Sequence, residues 1–501
     1  MAEGRFSLEA YEGILTSHRQ WTLMGHSMAL SFWVMLLTTI VGVPLGVLLG
    51  KTNLPLRRFF IFLFVIPLLI PPYITAVSWF DLLGREGLLS RLIGPSFAGM
   101  SSRFLFGLPG CVAILFTTFL PIPILLTMVF LRTVNPRLEE AGKLVSGWRG
   151  ILKGITIPLI LPGILLAAML TFILSFGEFG VSNFLRYGVF PVESFTQFSA
   201  FYNFKAATAA AVPLVLVTFV VLLSEAGFLR EKTFRLRPSA ETEDLPLIAL
   251  GTSRNGLFVL VTLFGFFLVI VPILVLIVQS ANIQAYAEAL SRAGDSLLRS
   301  LFYAVIGATS LTLFGFFSGY LIQTKTFRYW RAIDFTTIFL FALPGTVIGI
   351  GLISLWNTPY TNFIYGTLWI IILGYLAKYT ALTSRITVNQ LTQISPAMEE
   401  AAQVAGAGWF RRLIFIIIPL ARRGLLAGWI VGYIFSLRDT AITMLVYPAG
   451  HDTLPVRIFT LMANGSAQLI AALCVMLILA TLLPAGILWL IANPLLRKAK
   501  R

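Results

Sequence analysis

Glu399-Glu400-Ala401-Ala402-Gln403-Val404-Ala405-Gly406 runs on through Trp409, Arg411 and Arg412 to Ile416-Ile417-Ile418-Pro419, a polar island between long apolar runs. An earlier copy reads Pro136-Arg137-Leu138-Glu139-Glu140-Ala141-Gly142, then Ser146, Trp148, Arg149 and Lys153, to Ile155-Thr156-Ile157-Pro158. The copies lie about 260 residues apart. Each opens with a capping side chain followed by proline, Asn135-Pro136 and Ser395-Pro396, which predicts a helix start. The paired acids Glu139/Glu140 and Glu399/Glu400 fall near the helix N-terminus, where the dipole favours negative charge. Gly142/Ser146 and Ala402/Gly406 are four apart, which gives each helix a small face that another surface can approach.

The apolar surroundings fix the class of protein. The 501-residue chain is 57% hydrophobic and 12% charged, too little polar surface for a soluble globule. An all-α polytopic membrane protein is expected. The net charge of +16 comes from Lys and Arg in short loops, the positive-inside pattern, so no nucleic-acid partner is expected. Cys111 and Cys474 both sit inside apolar runs, which argues against a disulfide frame or a thiol metal site. Residues 1–22 are polar and mixed in charge and do not read as a signal peptide.

Candidate spans fall at 23–50, 58–80, 107–131, 155–177 and 205–228, then at 255–280, 298–322, 331–356, 363–386, 414–436 and 466–491. That makes about eleven transmembrane helices. Clusters such as Lys51, Arg57 and Arg58, Arg132 to Lys153, Lys325 to Arg331 and Arg497 to Arg501 fall on one side, which is read as cytoplasmic. The N-terminus is then periplasmic and the C-terminus cytoplasmic. Residues 229–254, with Arg230, Lys232, Arg235, Arg237, Pro238, Glu241, Glu243 and Asp244, read as a cytoplasmic linker. The linker separates a first half, 1–228 (about five spans, island 133–158), from a second, 255–501 (about six spans, island 393–419). No counterpart of the 255–280 span is found in the first half.

The halves correspond beyond the islands. His26-Ser27 and Gly42-x-x-x-Gly46 match Arg299-Ser300 and Gly315-x-x-x-Gly319, and Pro67 is paired with Pro344. Thr127, Leu131 and Gly163 match Thr387, Leu391 and Gly424, and Ser175 to Glu178 matches Ser436 to Asp439. An even number of intervening spans keeps both islands on one face, so the repeats are read as parallel. Tyr73, Trp79, Trp356 and Tyr360 read as interface-belt aromatics, and His26 and His451 as isolated.

On these residues the chain resembles the membrane-spanning permease subunits of bacterial ABC importers, whose EAA loop has the form Glu-Ala-Ala, a glycine, then Ile-x-Leu-Pro. Glu400-Ala401-Ala402, Gly406 and Ile416 to Pro419 follow that form; the first copy has Gly142 for the second alanine, Ser146 for the glycine and one residue fewer before Pro158. The resemblance implies coupling helices that seat on an ATP-binding cassette ATPase dimer at the cytoplasmic face. Glu139, Glu140, Gly142, Ser146, Arg149, Glu399, Glu400, Ala401, Ala402, Gly406 and Arg411 are the coupling candidates, with Glu140 and Glu400 leading. It also implies a periplasmic solute-binding protein and a multi-pass place in the bacterial inner membrane. No phosphate-binding loop of the form Gly-x4-Gly-Lys-Ser/Thr occurs, so the chain is expected to be no enzyme, to carry no cofactor, and to leave ATP hydrolysis to its partner.

Two fused halves of this length look most like ferric-iron importer permeases, with thiamine and aminophosphonate permeases as relatives. Glu178 and Asp439 lie at matched span ends. Acids there face a cavity or partner, or snorkel to the interface, so they are candidates for the substrate path and for transient contact with a hard cation, with no stable metal site expected. An ion-driven secondary transporter is the competing class; it would need mid-span acids and no paired docking helix.

Overall fold

The computed structural model describes residues 9–201, 203–233 and 247–498. The linker residues Arg235, Arg237, Pro238, Glu241, Glu243 and Asp244 lie outside these. The described chain is built from helices, with one isolated bridge between Thr52 and Ile248. It divides into two compact units, Met1–Gln279 and Ser280–Arg501. Connectivity puts the helical stretch Ser253–Gln279 at the head of the second half, yet its side chains pack in the first unit. Phe264 meets Phe64 at 6.0 Å and Phe267 meets Trp79 edge-on at 5.3 Å. Val261, Leu268 and Val269 share a core with Phe60, Leu63 and Phe64.

Among the described residues, eight helices are long and apolar enough to cross a membrane, and two bent pairs bring the number to ten. The expected count of about eleven differs by the run at 363–386. That run forms the Trp369–Leu391 helix, where Lys378 and Arg385 interrupt the apolar stretch. The runs at 58–80 and 331–356 are not straight. They break between Arg57–Leu69 and Pro72–Ile93 by 99°, and between Trp330–Ala342 and Gly345–Trp356 by 112°. At each break a proline precedes the second segment, Pro71 with φ −54° and ψ 135°, Pro344 with φ −54° and ψ 140°. Proline lacks the amide that would continue the helix, and this extended ψ turns the chain. Pro344 therefore corresponds to Pro71 and not to Pro67, which lies inside the preceding helix.

The paired small residues work the same way in each unit. A Cβ on Gly46 would stand 2.7 Å from Thr127 Cβ, and one on Gly319 would stand 2.7 Å from Thr387 Cβ. These glycines let the long helices His18–Lys51 and Ile283–Thr324 lie against Pro121–Leu131 and Trp369–Leu391. In an apolar solvent such close backbone approach, and not burial, is the main source of helix association. Gly163 faces Phe130 and Gly424 faces Gln390, a second matched contact. Farther toward the N-termini of the long helices, Ser27 Oγ accepts the Phe190 amide at 2.8 Å and Ser300 Oγ accepts the Leu454 amide at 2.6 Å. Each hydroxyl caps the start of a short helix, Phe190–Ser199 or Leu454–Leu461.

The expected belt aromatics divide. Tyr73 and Trp79 are buried in the first unit, whereas Tyr360 is exposed. The histidines are not isolated: His26 stacks on Tyr187 at 5.0 Å and His451 Nδ1 lies 2.5 Å from Tyr303 Oη.

Three π-turns, Leu152–Thr156, Phe266–Ile270 and Leu413–Ile417, share one sequence cause among the described residues. Each is followed at the second position by proline, Pro158, Pro272 and Pro419. A proline ring clashes with the carbonyl four residues back, and widening the turn removes the clash. The repeated Ile-x-Ile-Pro ending of the islands is thus a backbone device.

Gly319→Val should destabilise the protein by about 1–3 kcal/mol through overpacking against Thr387 and the Ser384 carbonyl. Gly256→Ala, where a Cβ meets nothing within 4 Å, should not. Thermal unfolding in detergent checks both, and equal midpoints for the two variants would contradict the packing account.

Candidate functional site

Each island folds as a short helix, a turn, a second short helix and a π-turn. The helices are Pro136–Lys143 and Trp148–Ile151 in the first unit and Pro396–Val404 and Trp409–Arg412 in the second. Asn135 caps as expected, its Oδ1 accepting the Arg137 amide at 3.0 Å. Ser395 makes no side-chain cap bond, so the second helix starts on proline alone. The glycine expected on a small face has a different role in each copy. Gly142 packs inward, where a Cβ would meet Ile155 Cδ1 at 2.9 Å, so the surface that approaches it belongs to the same loop. Gly406 has φ +81° with open space around it. It ends the helix in the left-handed region, with the Ala407 amide donating to the Ala402 carbonyl at 2.9 Å. Ser146 cannot take that conformation cheaply, and its amide donates instead to the Gly142 carbonyl at 2.9 Å.

The two glutamates of each pair point in opposite directions. Glu139 is fully buried, and its Oε1 accepts Lys51 Nζ and, at 2.7 Å, Thr156 Oγ1. Lys51, the last residue of the His18–Lys51 helix, is also fully buried. Glu399 occupies the same place in the second island and is held more loosely. Tyr320 Oη donates to it at 3.3 Å, Arg412 Nη1 stands 3.9 Å away, and its side chain is 29% exposed. Trp409 Nε1 donates to Tyr320 Oη at 3.3 Å and closes the cluster. Glu140 and Glu400 are exposed, as are Ser146, Arg149, Ala401 and Arg411, while Ala402 is half-buried. Glu139 and Glu399 therefore anchor the islands to their own units, and Glu140 and Glu400 are the acids presented outward.

Apolar side chains accompany those outward acids. Leu144 and Val404, at matched positions, are each 89% exposed, and Leu138 and Met398 are half exposed. Large apolar groups standing free beside an acid mark a contact surface more than a solvated loop. The residues were visible in the sequence, but only the helix register tells which of them face out.

The span-end acids are engaged within their units. Glu178 Oε1 accepts the Gly180 amide at 2.8 Å and Oε2 accepts the Val181 amide at 3.0 Å. Asp439 Oδ1 accepts the Thr443 amide at 3.0 Å and its hydroxyl at 2.9 Å, and Oδ2 accepts Tyr379 Oη at 2.8 Å. Both thus hold the short helices that follow, Gly180–Phe184 and Thr443–Val446. Lys378, not singled out in the sequence, donates to the Leu343 carbonyl at the break before Pro344, where the helix has left that oxygen without an amide. No group of three or more His, Cys, Asp or Glu is placed to hold a metal among the described residues.

Residues 312–493 match the family of binding-protein-dependent transport system inner membrane components. With its helical fold and many apolar spans, the chain is a multi-pass permease of the bacterial inner membrane, of the ABC-importer class. It is similar to permeases of the ferric type. A putative ferric transport system permease of Haemophilus influenzae is 23% identical over 89% of this chain and 73% of its own length. A ferric transport system permease of Actinobacillus pleuropneumoniae is 24% identical over 86% of this chain and 65% of its own. A putative 2-aminoethylphosphonate transport system permease of Salmonella typhimurium is 27% identical over 38% of this chain and 72% of its own.

Glu139→Ala should destabilise the protein by about 3–5 kcal/mol, because Lys51 is left charged and unpaired in a dry site. Glu140→Ala should leave the unfolding midpoint where it is. Thermal melts of the two purified variants check this, and equal effects would contradict the inward and outward assignment.

Proposed function

We propose that this chain is the translocation subunit of an ATP-driven importer that moves ferric iron delivered by a periplasmic binding protein. The observation that carries the proposal is the pair of islands, each anchored inward by its first glutamate and presenting an acid and a large apolar side chain outward. Glu140 with Leu144, and Glu400 with Val404, form the docking knobs. The flanking bases Arg149 and Arg411 supply contacts at their edges. A partner ATPase dimer takes both knobs at the cytoplasmic face, which requires parallel halves, 1–228 and 255–501, and a crossing by the 23-residue Trp369–Leu391 helix in addition to the ten spans above; with that crossing the N-terminus is periplasmic. ATP-driven closure of the partner pushes on the two helices and reorients the spans; the chain itself hydrolyses nothing.

The iron reading rests on relatives similar over most of the chain whose names say ferric transport. The aminoethylphosphonate relative supports the alternative cargo over 38% of the chain. Glu178 and Asp439 are proposed to meet the cation in passing. Their oxygens already accept amide and hydroxyl protons, so such contact means a brief exchange of donors for metal.

Glu140→Lys with Glu400→Lys should lower ATPase co-purification and uptake by about tenfold or more, because a basic knob meets its groove with the wrong sign. Unchanged assembly and uptake would overturn the coupling assignment. Glu178→Ala with Asp439→Ala should leave assembly intact and abolish uptake of radioactive ferric iron in proteoliposomes. Normal uptake in that double variant would leave both acids as helix caps only.

A further inference from the structure

The pairing at Glu139 is unlike its counterpart, and what surrounds it shows a use for the difference. Lys51 lies where Thr324 ends the second long helix, and Tyr320, one turn earlier, does the holding there. In the first unit a further piece of chain closes over Lys51. The Ile248 amide donates to the Lys51 carbonyl at 2.8 Å, and the Asn53 amide donates to the Ile248 carbonyl at 3.2 Å. Asn53 Oδ1 accepts the Leu250 amide at 3.1 Å. Ile248 is itself buried, and so are Thr52 and Leu54. The strap satisfies a carbonyl that a helix end would otherwise expose, and it forms the bridge to Thr52, the residue next to the buried lysine. It begins just after residues 234–246, so the connection between the halves is stitched to the residue that holds the first island.

We infer that Lys51 is a positioning residue for ATP coupling, and that the Ile248–Leu250 strap keeps it dry so that the Pro136–Lys143 helix moves as one body with the His18–Lys51 helix. This rests on the coupling role proposed above. A dry ion pair with a second donor, Thr156 Oγ1, has no water to exchange into, so its geometry resists bending in a way a solvated pair does not. Lys51 touches neither nucleotide nor cargo. It acts through Glu139, and Glu140 on the following residue carries the push. The second island, held by a single hydroxyl and a distant guanidinium, is the more compliant of the two.

The test uses the full permease assembled with its ATPase in proteoliposomes, with binding protein loaded with ferric iron. Lys51→Met should reduce uptake per ATP hydrolysed by about fivefold or more while the ATPase still co-purifies, and Lys51→Arg should recover most of it, because charge and reach are kept. Amide exchange at residues 137–143 of the permease should quicken by about tenfold in Lys51→Met and stay near the wild-type rate in Lys51→Arg. Wild-type uptake per ATP and wild-type exchange in Lys51→Met would overturn the inference. Should Lys51→Met fail to assemble, Lys51→Glu with Glu139→Lys restores the pair in reverse; recovered uptake per ATP supports the inference, and anything short of recovery overturns it. Failure of the cargo reading shows separately, as a wild-type complex that ferric-loaded binding protein does not stimulate, and the exchange comparison needs no cargo.

Discussion

Glu139 has no route to water, and an ionised carboxylate in such a place must be paired or the fold around it will not hold. Lys51 supplies the charge and Thr156 a hydroxyl. Much of the first island follows from that contact. Thr156 is the last residue of the π-turn, so the turn that relieves Pro158 also aims a donor at the acid. With the first glutamate turned in, the helical register turns Glu140 and Leu144 out. The second island reaches the same register by other means, through Tyr320, Trp409 and Arg412.

A membrane permease must keep its spans packed without help from burial of apolar surface, and close glycine contacts do this in both units. Gly46 against Thr127 and Gly319 against Thr387 put the long helix of each unit beside the helix that leads into its island. The island is therefore clamped from two directions, by backbone approach along the helices and by a polar contact at their ends. In the proposed coupling role, that double clamp is what would pass motion of an island to the spans.

Much of this was legible in the sequence. The repeat, its polar character, Thr127 with Thr387, Gly163 with Gly424 and Ser27 with Ser300 all proved to be working contacts, because a duplicated fold keeps the same residues at the same helix crossings. What was not legible has physical reasons. Proline marks a helix break but not its angle, so the sequence does not say whether the spans at 58–80 and 331–356 kink or turn by 99° and 112°, and it pairs Pro344 with Pro67 in place of Pro71. Adjacent glutamates look alike until the helix phase is known, so the sequence places Glu139 beside Glu140 among the coupling candidates, with Glu140 leading, and gives no sign that Glu139 faces inward. Lys51 read as one more positive-inside residue, since nothing in a sequence marks a lysine as dry. Gly406 and Gly142 read as one small face, although one serves a left-handed turn and the other a tight contact.

The proposed function requires two matched knobs to carry force between this chain and an ATPase. Single cysteines placed by Leu144→Cys and Val404→Cys, in a chain whose own Cys111 and Cys474 are buried, give the most direct measurement. Thiol cross-linking to cysteines lining the groove of the partner ATPase should yield a covalent product from each knob, and ATP should change the yield. Absence of product from both positions in an assembled, active complex would contradict the account.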